Sequence, residues 1–407
     1  MTPLQSTRTR PHRGRRVILL AGASVVGLLA GGLAVILGVG GILVPATYLQ
    51  PWSAGYSQQF SDPRMKVVAQ ALLAPSGHNL QPWIIRLDDA DPTVLSLYAD
   101  ADRLTPAVDP LGRQTMITQG TFLAYLEVAA ANLGYSASFD LFPNGAFDET
   151  ELDRSMRELP VARITLAPDA TAETSDYGSL FLSDTNRAPY TADPLSAAQT
   201  KSLGELDAGS AATLSVLTDP DDLATLGSLA EQGTRIETEY AAATSESDAV
   251  FHSTEQAKND ARSGFAVEGQ GTSGLMKYFL QGLITIVPAV NDDATAATNA
   301  IALTAAGVAN TAAYGLIRTT SNSRTEQVEA GILYAQLSLR TRTLGLVLQP
   351  LSQVLQEYPT MAAPYAAVHE QYAPGGGTIQ MLVRIGTPTT EFPPTMRRDA
   401  TSLLAAP

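Results

Sequence analysis

The sequence of 407 residues contains no cysteine and four histidines. The lack of cysteine excludes disulfides, thiolate nucleophiles and cysteine-ligated metal or iron–sulfur centres. His12, His78, His252 and His369 do not pair at the spacing of metal ligands, so no metal site is predicted. Basic residues are also few: 26 Lys and Arg stand against 40 Asp and Glu, which gives a net charge of −14. This balance argues against a nucleic-acid partner, because phosphate binding requires a basic surface.

Charge is absent from residues 17–46, VILLAGASVVGLLAGGLAVILGVGGILVPA. As a helix this run would span about 45 Å, more than the ~30 Å hydrocarbon core of a bilayer. Five arginines occur in residues 8–16, and no Lys or Arg follows until Arg64. The positive-inside rule therefore predicts a basic cytoplasmic N-terminus at 1–16, a transmembrane or signal-anchor helix at 17–46 and an extracytoplasmic main domain. Arg15-Arg16 is similar to a twin-arginine signal, so an exported protein is the alternative to a single-pass membrane protein.

The remaining sequence mixes helix and strand patterns, which predicts an α+β class. MKVVAQALL (65–73) predicts a helix, whereas WIIRL (83–87), TVLSLYAD (93–100) and VARITLA (161–167) predict strands. A long helix is expected to begin at Asp109-Pro110, with Asp109 as its N-cap, and to end at Gly134.

An internal repeat suggests two lobes. Residues 113–134 and 324–345 align at a constant offset of 211, with identical pairs at Arg113/Arg324, Gly120/Gly331, Ala124/Ala335, Leu126/Leu337, Leu133/Leu344 and Gly134/Gly345. An ancient duplication explains this spacing; two unrelated Leu- and Ala-rich helices are the alternative. We predict a first lobe at 60–170 and a second at 180–402. A segment at about 241–300 has no counterpart in the first lobe, and it is predicted to be a lid-like insertion.

The stretch Pro75-Ser76-Gly77-His78-Asn79-Leu80-Gln81-Pro82-Trp83 is unusually polar for a connection between a helix and a strand. It resembles the Pro-Ser-x-x-Asn-x-Gln-Pro-Trp element of the nitroreductase family. Residues 183–196, 344–359 and 379–399 resemble further elements of that family, in the same order. The resemblance covers about residues 65–402 and is greatest to the two-lobed, Acg-type branch, whose members bind flavin mononucleotide (FMN).

The resemblance implies a nitroreductase-like fold in which two fused lobes imitate the family's homodimer. FMN would lie between the lobes, in a monomeric pseudo-dimer. The first lobe supplies the Pro-Ser-x-x-Asn element and the second supplies the other elements. Neither 51–63 nor 203–217 supplies the parts of a mirror-image site. One FMN per chain is therefore expected.

The resemblance also implies roles for individual residues. Arg397 and Arg398 would bind the flavin phosphate, although an exposed charged cluster is the alternative, and Thr185 would either bind phosphate or cap a helix. Arg187 would lie at the pyrimidine edge, where reduction places negative charge, or else form an ordinary ion pair. The remaining cofactor-binding residues belong to the 75–81 loop and to the turn against the flavin: Pro75, Ser76, Gly77, Asn79, Gln81 and Ser352.

Ser76 and Asn79 are expected to hydrogen-bond the ribityl chain and ring edge, and Gly77 to permit close backbone approach. Gln81 could instead hold the loop together. The backbone N–H of Leu351 or Ser352 would face flavin N5, and no catalytic side chain is needed, because the flavin carries out the chemistry. Ser183 stands where the family element has its first Arg, so one phosphate contact is absent or replaced.

Two functions follow from the resemblance. The first is an FMN-dependent oxidoreductase that passes hydride from a small-molecule donor to a small aromatic, nitro or quinone acceptor. The second is a non-catalytic protein that binds and sequesters flavin under a closed lid. A membrane-tethered scaffold without flavin is a third possibility. The 241–300 insertion should distinguish the first two, since an open cavity favours catalysis and a plugged one favours sequestration.

Overall fold

The computed structural model describes residues 30–183, 185–206 and 211–405. The described residues form eight strands in two antiparallel sheets. The first sheet has the order β1-β2-β4-β3 and the second has the order β5-β6-β8-β7, so the two sheets share one topology. The strands are β1 Trp83–Leu87, β2 Val94–Ala99, β3 Tyr135–Leu141, β4 Ala162–Pro168, β5 Thr213–Leu217, β6 Ala313–Thr319, β7 Val347–Pro350 and β8 Thr378–Gly386.

The described helices surround these sheets, and the α+β class is confirmed. Helix α1 covers residues 30–39. The others are α2 Pro63–Ala71, α3 Arg113–Asn132, α4 Leu152–Glu158, α5 Ala197–Gly204, α6 Pro220–Glu239, α7 Ala241–Ala249, α8 Glu255–Ala261, α9 Gly274–Ile286, α10 Asp293–Val308, α11 Arg324–Thr343 and α12 Ala362–Tyr372.

Helices α3 and α11 pack against each other between the two sheets. Each crosses the other at a glycine: a Cβ on Gly120 would lie 1.9 Å from the Val328 carbonyl oxygen, and a Cβ on Gly331 would lie 1.9 Å from that of Ile117. Only glycine permits so close an approach of two helix backbones. The four positions are related by the offset of 211, so the repeated sequences meet each other at equivalent points.

The start of α3 differs from its prediction. The helix begins at Arg113 after Gly112, whereas Asp109 caps it from outside. Its carboxylate accepts hydrogen bonds from the backbone N–H groups of Gln114 and Thr115 at 3.0 and 2.9 Å. The helix ends at Asn132, and Gly134 follows with φ of 79°, a left-handed conformation that suits glycine.

Two of the hydrophobic cores contain side chains from both lobes. The core of the first sheet includes Val328, Ala335 and Leu339 from α11. The core beside the second sheet includes Ile117 from α3. Burial of apolar area contributes about 25 cal/mol per Å². Because each of these cores buries side chains from the other lobe's helix, each lobe helps to stabilise the other.

The C-terminal segment returns to the first sheet. Leu404 forms a parallel bridge with Ile85 on the edge strand β1, and the backbone N–H of Ala405 donates to the Ile85 carbonyl at 2.9 Å. Ala400 and Leu403 are buried in the first core. This segment, which follows the last strand of the second sheet in sequence, therefore covers the edge of β1.

The transmembrane prediction is wrong. Within the described residues, no helix is both apolar and long enough to cross a bilayer. Helix α1 ends at residue 39, and the chain turns at Gly41, where φ is 90°. Part of the apolar run packs on α9 instead, since a Cβ on Gly282 would lie 1.8 Å from the Ile36 carbonyl oxygen. The single-pass localisation falls with this prediction. The basic segment 1–16, its arginine pair and residues 17–29 lie outside the described residues.

Candidate functional site

A cavity of about 410 Å³ is lined by residues from the part of the chain around the first sheet and from the part around the second. This volume falls within the range of roughly 300–1,000 Å³ that is usual for small-molecule sites. Its walls come from the loop before β1, the first turns of α3, the segment before α5, the turn after β7 and the insertion. Of the predicted cofactor-binding residues, seven line it: Pro75, Ser76, Gly77, Asn79, Thr185, Arg187 and Ser352.

The loop of residues 75–81 has an unusual backbone. His78, Asn79 and Gln81 have φ values of 48°, 53° and 52°, a left-handed region that non-glycine residues seldom adopt. Such a conformation persists only where neighbouring contacts impose it. One of these contacts is from Thr121 on α3, whose hydroxyl donates to the Pro75 carbonyl at 2.7 Å. The loop is therefore held in a single shape beneath the cavity.

Ser76 and Gly77 present polar groups at the cavity wall. The Ser76 hydroxyl oxygen accepts the Gln81 backbone N–H at 3.1 Å and keeps its own hydrogen for donation. The Gly77 N–H donates to the Thr118 hydroxyl at 3.3 Å, and a Cβ at Gly77 would meet nothing within 4 Å. This part of the wall can therefore accommodate a ligand close to the backbone.

Asn79 lines the cavity, but its amide is engaged with the protein. Its Nδ2 donates to the carbonyl oxygens of Gly264 and Met396 at 2.9 and 3.0 Å. Its Oδ1 accepts from Arg397 at 2.8 Å. Asn79 therefore joins the loop to the insertion and to the C-terminal segment, and a direct contact with the ribityl chain would require one of these bonds to break.

Gln81, Arg397 and Arg398 do not line the cavity. All three are buried behind the loop. Arg397 donates to the Leu73 carbonyl at 2.8 Å as well as to Asn79. Arg398 donates to the Gln81 carbonyl at 2.9 Å, and its backbone N–H donates to Gln81 Oε1 at 2.8 Å. The structure thus places the basic pair where it fastens the C-terminal segment to the loop, and Gln81 where it holds the loop together.

The second lobe contributes Thr185, Arg187 and Ser352. The Arg187 guanidinium donates to the Gly269 carbonyl at 3.0 Å. The Leu351 N–H, one of the two groups expected to face N5, donates to the Leu382 carbonyl at 2.8 Å. Leu351 does not line the cavity, so Ser352 is the member of this pair that a ligand can reach.

His78 also lines the cavity, where its ring lies 5.8 Å from that of Phe265. Burial, followed by the nearby Arg187 guanidinium, lowers the pKa of His78 to about 4. The imidazole is therefore neutral at pH 7. A neutral ring beside an aromatic side chain offers a flat surface to a ligand, together with one donor and one acceptor nitrogen.

The insertion covers the cavity with residues 262–271, which we name the strap. The strap is bonded to both lobes: Gln81 Nε2 donates to the Arg262 carbonyl at 2.9 Å, Asn79 contacts Gly264, and Arg187 contacts Gly269. Gly264 and Gly271 have φ values of 77° and 83°. The strap therefore engages three of the polar side chains that were assigned to the flavin, Asn79, Gln81 and Arg187, and leaves the cavity beneath it.

Several cavity residues were absent from the prediction: Arg103, Gln114, Thr118, Glu237, Ser247, Phe265, Glu268, Gln349, Gln353 and Gln356. Gln114, Thr118 and Thr121 recur at helical spacing along α3, so the signal for one face was in the sequence. Glu237 and the strap residues carried no such signal, because their place depends on how the insertion packs.

Comparison with known proteins gives a short match in sequence. No family model matches the chain. A stretch of 78 residues is 38% identical to "Putative NAD(P)H nitroreductase Rv3131" of Mycobacterium tuberculosis (strain ATCC 25618 / H37Rv). A stretch of 77 residues is 42% identical to "Putative NAD(P)H nitroreductase acg" of the same strain. Each match covers 19% of this chain and 22% of the relative. These relatives support the nitroreductase superfamily.

The chain thus spans about a fifth of the length of the curated relatives it matches. Among solved structures, a "putative nitroreductase from anabaena variabilis atcc 29413" aligns with 78% of this chain and 82% of its own, at a TM-score of 0.36 and 11% identity.

Proposed function

We propose that this chain is a nitroreductase-type oxidoreductase that uses FMN to pass hydride from a reduced small-molecule donor to a small aromatic, nitro or quinone acceptor. One observation carries the proposal. The cavity brings the loop at 75–79 together with Thr185, Arg187 and Ser352, which lie more than 100 residues away in sequence. These are residues that the family resemblance assigned to the flavin. The similarity to nitroreductases over 77–78 residues supports the same chemistry.

The donor set of the cavity suits FMN. Hydroxyl groups of Ser76, Thr118 and Thr185 can donate to phosphate or ribityl oxygens. The Arg187 guanidinium supplies positive charge at the wall, whereas Arg103 is paired with Asp100 at 3.3 Å. When bound, FMN supplies the hydride acceptor and donor. The protein's part would be to bind and orient FMN, and the positive charge of Arg187 would favour the reduced, anionic form.

We further propose that the chain acts as a monomeric pseudo-dimer with a single FMN. The shared sheet order and the glycine crossing of α3 and α11 support a duplication. The left-handed 75–81 loop occurs before the first sheet, and the Thr185–Arg187 segment before the second. One composite site therefore joins unlike elements of the two lobes.

Flavin sequestration is the second candidate, and the strap favours it. Residues 262–271 bond to Asn79, Gln81 and Arg187, so the insertion closes over the side of the cavity formed by both lobes. A flavin held beneath a strap that stayed closed would be retained without reaching an acceptor.

A single experiment separates these functions. The purified protein is reconstituted with FMN, and the bound flavin per chain is measured from its visible spectrum after denaturation. Anaerobic reduction by a nicotinamide nucleotide is then followed by mixing with a nitroaromatic or quinone. One FMN that is reduced and rapidly reoxidised supports the oxidoreductase. One FMN that the acceptor does not reoxidise supports sequestration. No bound flavin, or two per chain, contradicts the composite site.

A further inference from the structure

One corner of the cavity lies beside the end of α6. Its polar side chains were not assigned to the flavin. Helix α6 passes over the turn after β7, and a Cβ on Gly233 would lie 2.8 Å from the backbone nitrogen of Val354. This close approach brings the last turn of α6 onto the turn. Glu237, four residues after Gly233, lies on the same helix face and lines the cavity.

Glu237 faces Gln356, which directly follows the turn after β7. The Gln356 Nε2 donates to Glu237 Oε1 at 2.7 Å. Gln356 is 4% exposed and lines the cavity, yet its Oε1 accepts no hydrogen bond from the described part of the chain. A buried amide oxygen without a donor is costly, typically about 1–3 kcal/mol. An unsatisfied acceptor at a cavity wall therefore indicates a place for a ligand's donor group.

Among the described residues, this corner contains a carboxyl group without a paired cation. In the described residues, Glu237 forms no ion pair, and the cavity-lining arginines, Arg103 and Arg187, belong to the 100–103 turn and to the segment before α5. Burial raises the pKa of the Glu237 carboxyl, while hydrogen bonds from Gln356 and Gln353 oppose the rise. A cationic ligand group would remove the cost of ionising this carboxyl in a buried place.

Ser247 of α7 and Ala300 of α10, which have small side chains, also line the cavity. Tyr240 stacks on Tyr358 behind it, with ring centroids 4.5 Å apart and planes at 25°. Ser352, which is predicted to contact flavin N5, lies at the start of the turn that Gln356 follows. A ligand bound to Glu237 would thus extend toward the proposed flavin.

We propose that Glu237 and Gln356 form a subsite for a protonated amine carried by a small aromatic acceptor. The ammonium group would donate to a Glu237 carboxylate oxygen and to Gln356 Oε1, so that the half-buried carboxylate gains a counter-charge and the buried amide oxygen gains a donor. Its role as an acceptor subsite rests on the proposed function, whereas its preference for a cation does not. The subsite binds and orients the acceptor, and no covalent step is assigned to it.

The test uses three probes of similar shape: 4-nitrobenzylammonium, 4-nitrobenzyl alcohol and 4-nitrobenzoate. Their binding to the full chain is measured by titration calorimetry, with and without FMN. We expect the ammonium probe to bind at least about tenfold more tightly than the alcohol, because a charge-assisted hydrogen bond is gained, and we expect the benzoate to bind most weakly. Equal affinity for the three probes would overturn the proposal.

Variants identify the residue responsible. Glu237→Gln keeps the shape of the side chain and should abolish the preference for the ammonium probe. The matched control is Glu239→Gln, an exposed glutamate on the same helix, which should retain it. Should Glu237→Gln fail to fold, Gln356→Met offers a second route, since it removes Oε1 and should reduce the preference. A preference unchanged in these corner variants would overturn the assignment.

The outcomes separate this inference from the proposed function. A chain that binds no flavin but prefers the ammonium probe through Glu237 keeps the subsite and loses the oxidoreductase. A chain that binds one FMN and is reoxidised by all three probes equally well keeps the oxidoreductase and loses the subsite.

Discussion

Helices α3 and α11 occupy equivalent places in the two lobes, but the arginines that begin them are in different surroundings. The Arg113 side chain is 1% exposed and crosses to the second lobe, where it donates to the Leu355 carbonyl at 2.6 Å and pairs with Glu357 at 3.3 Å. The Arg324 side chain is 11% exposed and crosses to the first lobe, where it pairs with Glu149, whose side chain is 60% exposed. The two arginines at equivalent positions of the repeat thus cross between the lobes in opposite directions, but only the Arg113 crossing is buried.

The difference follows from what lies above each crossing. The Arg113 crossing lies beneath the turn after β7, on which α6 and α12 pack, whereas the Arg324 crossing ends at an exposed carboxylate. The two sheets therefore share one strand order, whereas the packing around the two arginine crossings differs.

The largest expected effect distinguishes the two arginines. Arg113→Ala leaves the Glu357 carboxylate, whose side chain is 11% exposed, without its buried partner, and the loss of such a pair costs about 3–5 kcal/mol. Arg324→Ala removes a pair with an exposed carboxylate and should cost about 1 kcal/mol or less. Guanidinium unfolding followed by circular dichroism measures both. Equal losses would show that the crossings are energetically equivalent despite their different burial.

The next prediction concerns Arg187 at the single composite site, and it rests on the proposed function. Arg187→Ala should weaken FMN binding by roughly 10- to 150-fold, because a contact between a charged donor and the flavin is lost. A greater loss for the reduced form would lower the midpoint potential by about 30 mV for each 1.4 kcal/mol of difference. Arg163→Ala, on an exposed part of the first sheet, is the control. A variant that keeps half of its flavin with unchanged affinity would reveal a second site.

The glycine crossing should respond symmetrically. Gly120→Ala and Gly331→Ala each force a Cβ against a backbone carbonyl, and overpacking of this kind costs about 1–3 kcal/mol or more. Gly204→Ala is the control, since a Cβ there meets nothing within 4 Å and should change stability by less than about 1 kcal/mol. Thermal unfolding of the three variants provides the comparison. A much smaller loss for one crossing glycine than for the other would contradict equivalent packing.

The smallest effect concerns the helix ends. Gly134 and Gly345 follow α3 and α11 with φ values of 79° and 71°, and neither has a neighbour that a Cβ would meet. Alanine at either position should cost about 1–2 kcal/mol through the left-handed backbone alone. Gly178→Ala, where φ is not positive, controls for the change of residue. Unequal losses, measured by the same unfolding experiment, would mean that one of the two turns relaxes.

The fold could be predicted where the local pattern was strong. β1, β2 and β4 match their apolar runs within two residues, and α3 ends two residues before Gly134 as expected. β3 was missed because YSASFDL alternates between half-buried and exposed positions on an edge strand, with few apolar side chains. The apolar N-terminal run was misinterpreted because length and hydropathy do not show that a Gly-rich helix will pack against another helix.

The candidate site could be predicted only in part, because a motif does not show which side of a loop faces a ligand. Ser76 and Gly77 line the cavity, whereas Gln81, which belongs to the same motif, faces the C-terminal segment. Arg397 and Arg398 were assigned by charge to a phosphate, yet the structure fastens them to backbone carbonyls. Glu237 and Gln356, 119 positions apart in sequence, meet only through the packing of α6 on the turn.

The C-terminal segment has a consequence for the order in which the chain can fold during synthesis. Arg397 contacts Asn79 across 318 residues of sequence, and Leu404 covers the edge of β1. At about 5–20 residues per second, a ribosome needs roughly 15 to 60 seconds to pass from Asn79 to Arg397. During that interval the strand edge lacks its cover and the 75–81 loop lacks the arginines that hold it. The first lobe is thus synthesised early, but its contacts are completed only after residues 397–404 have been added.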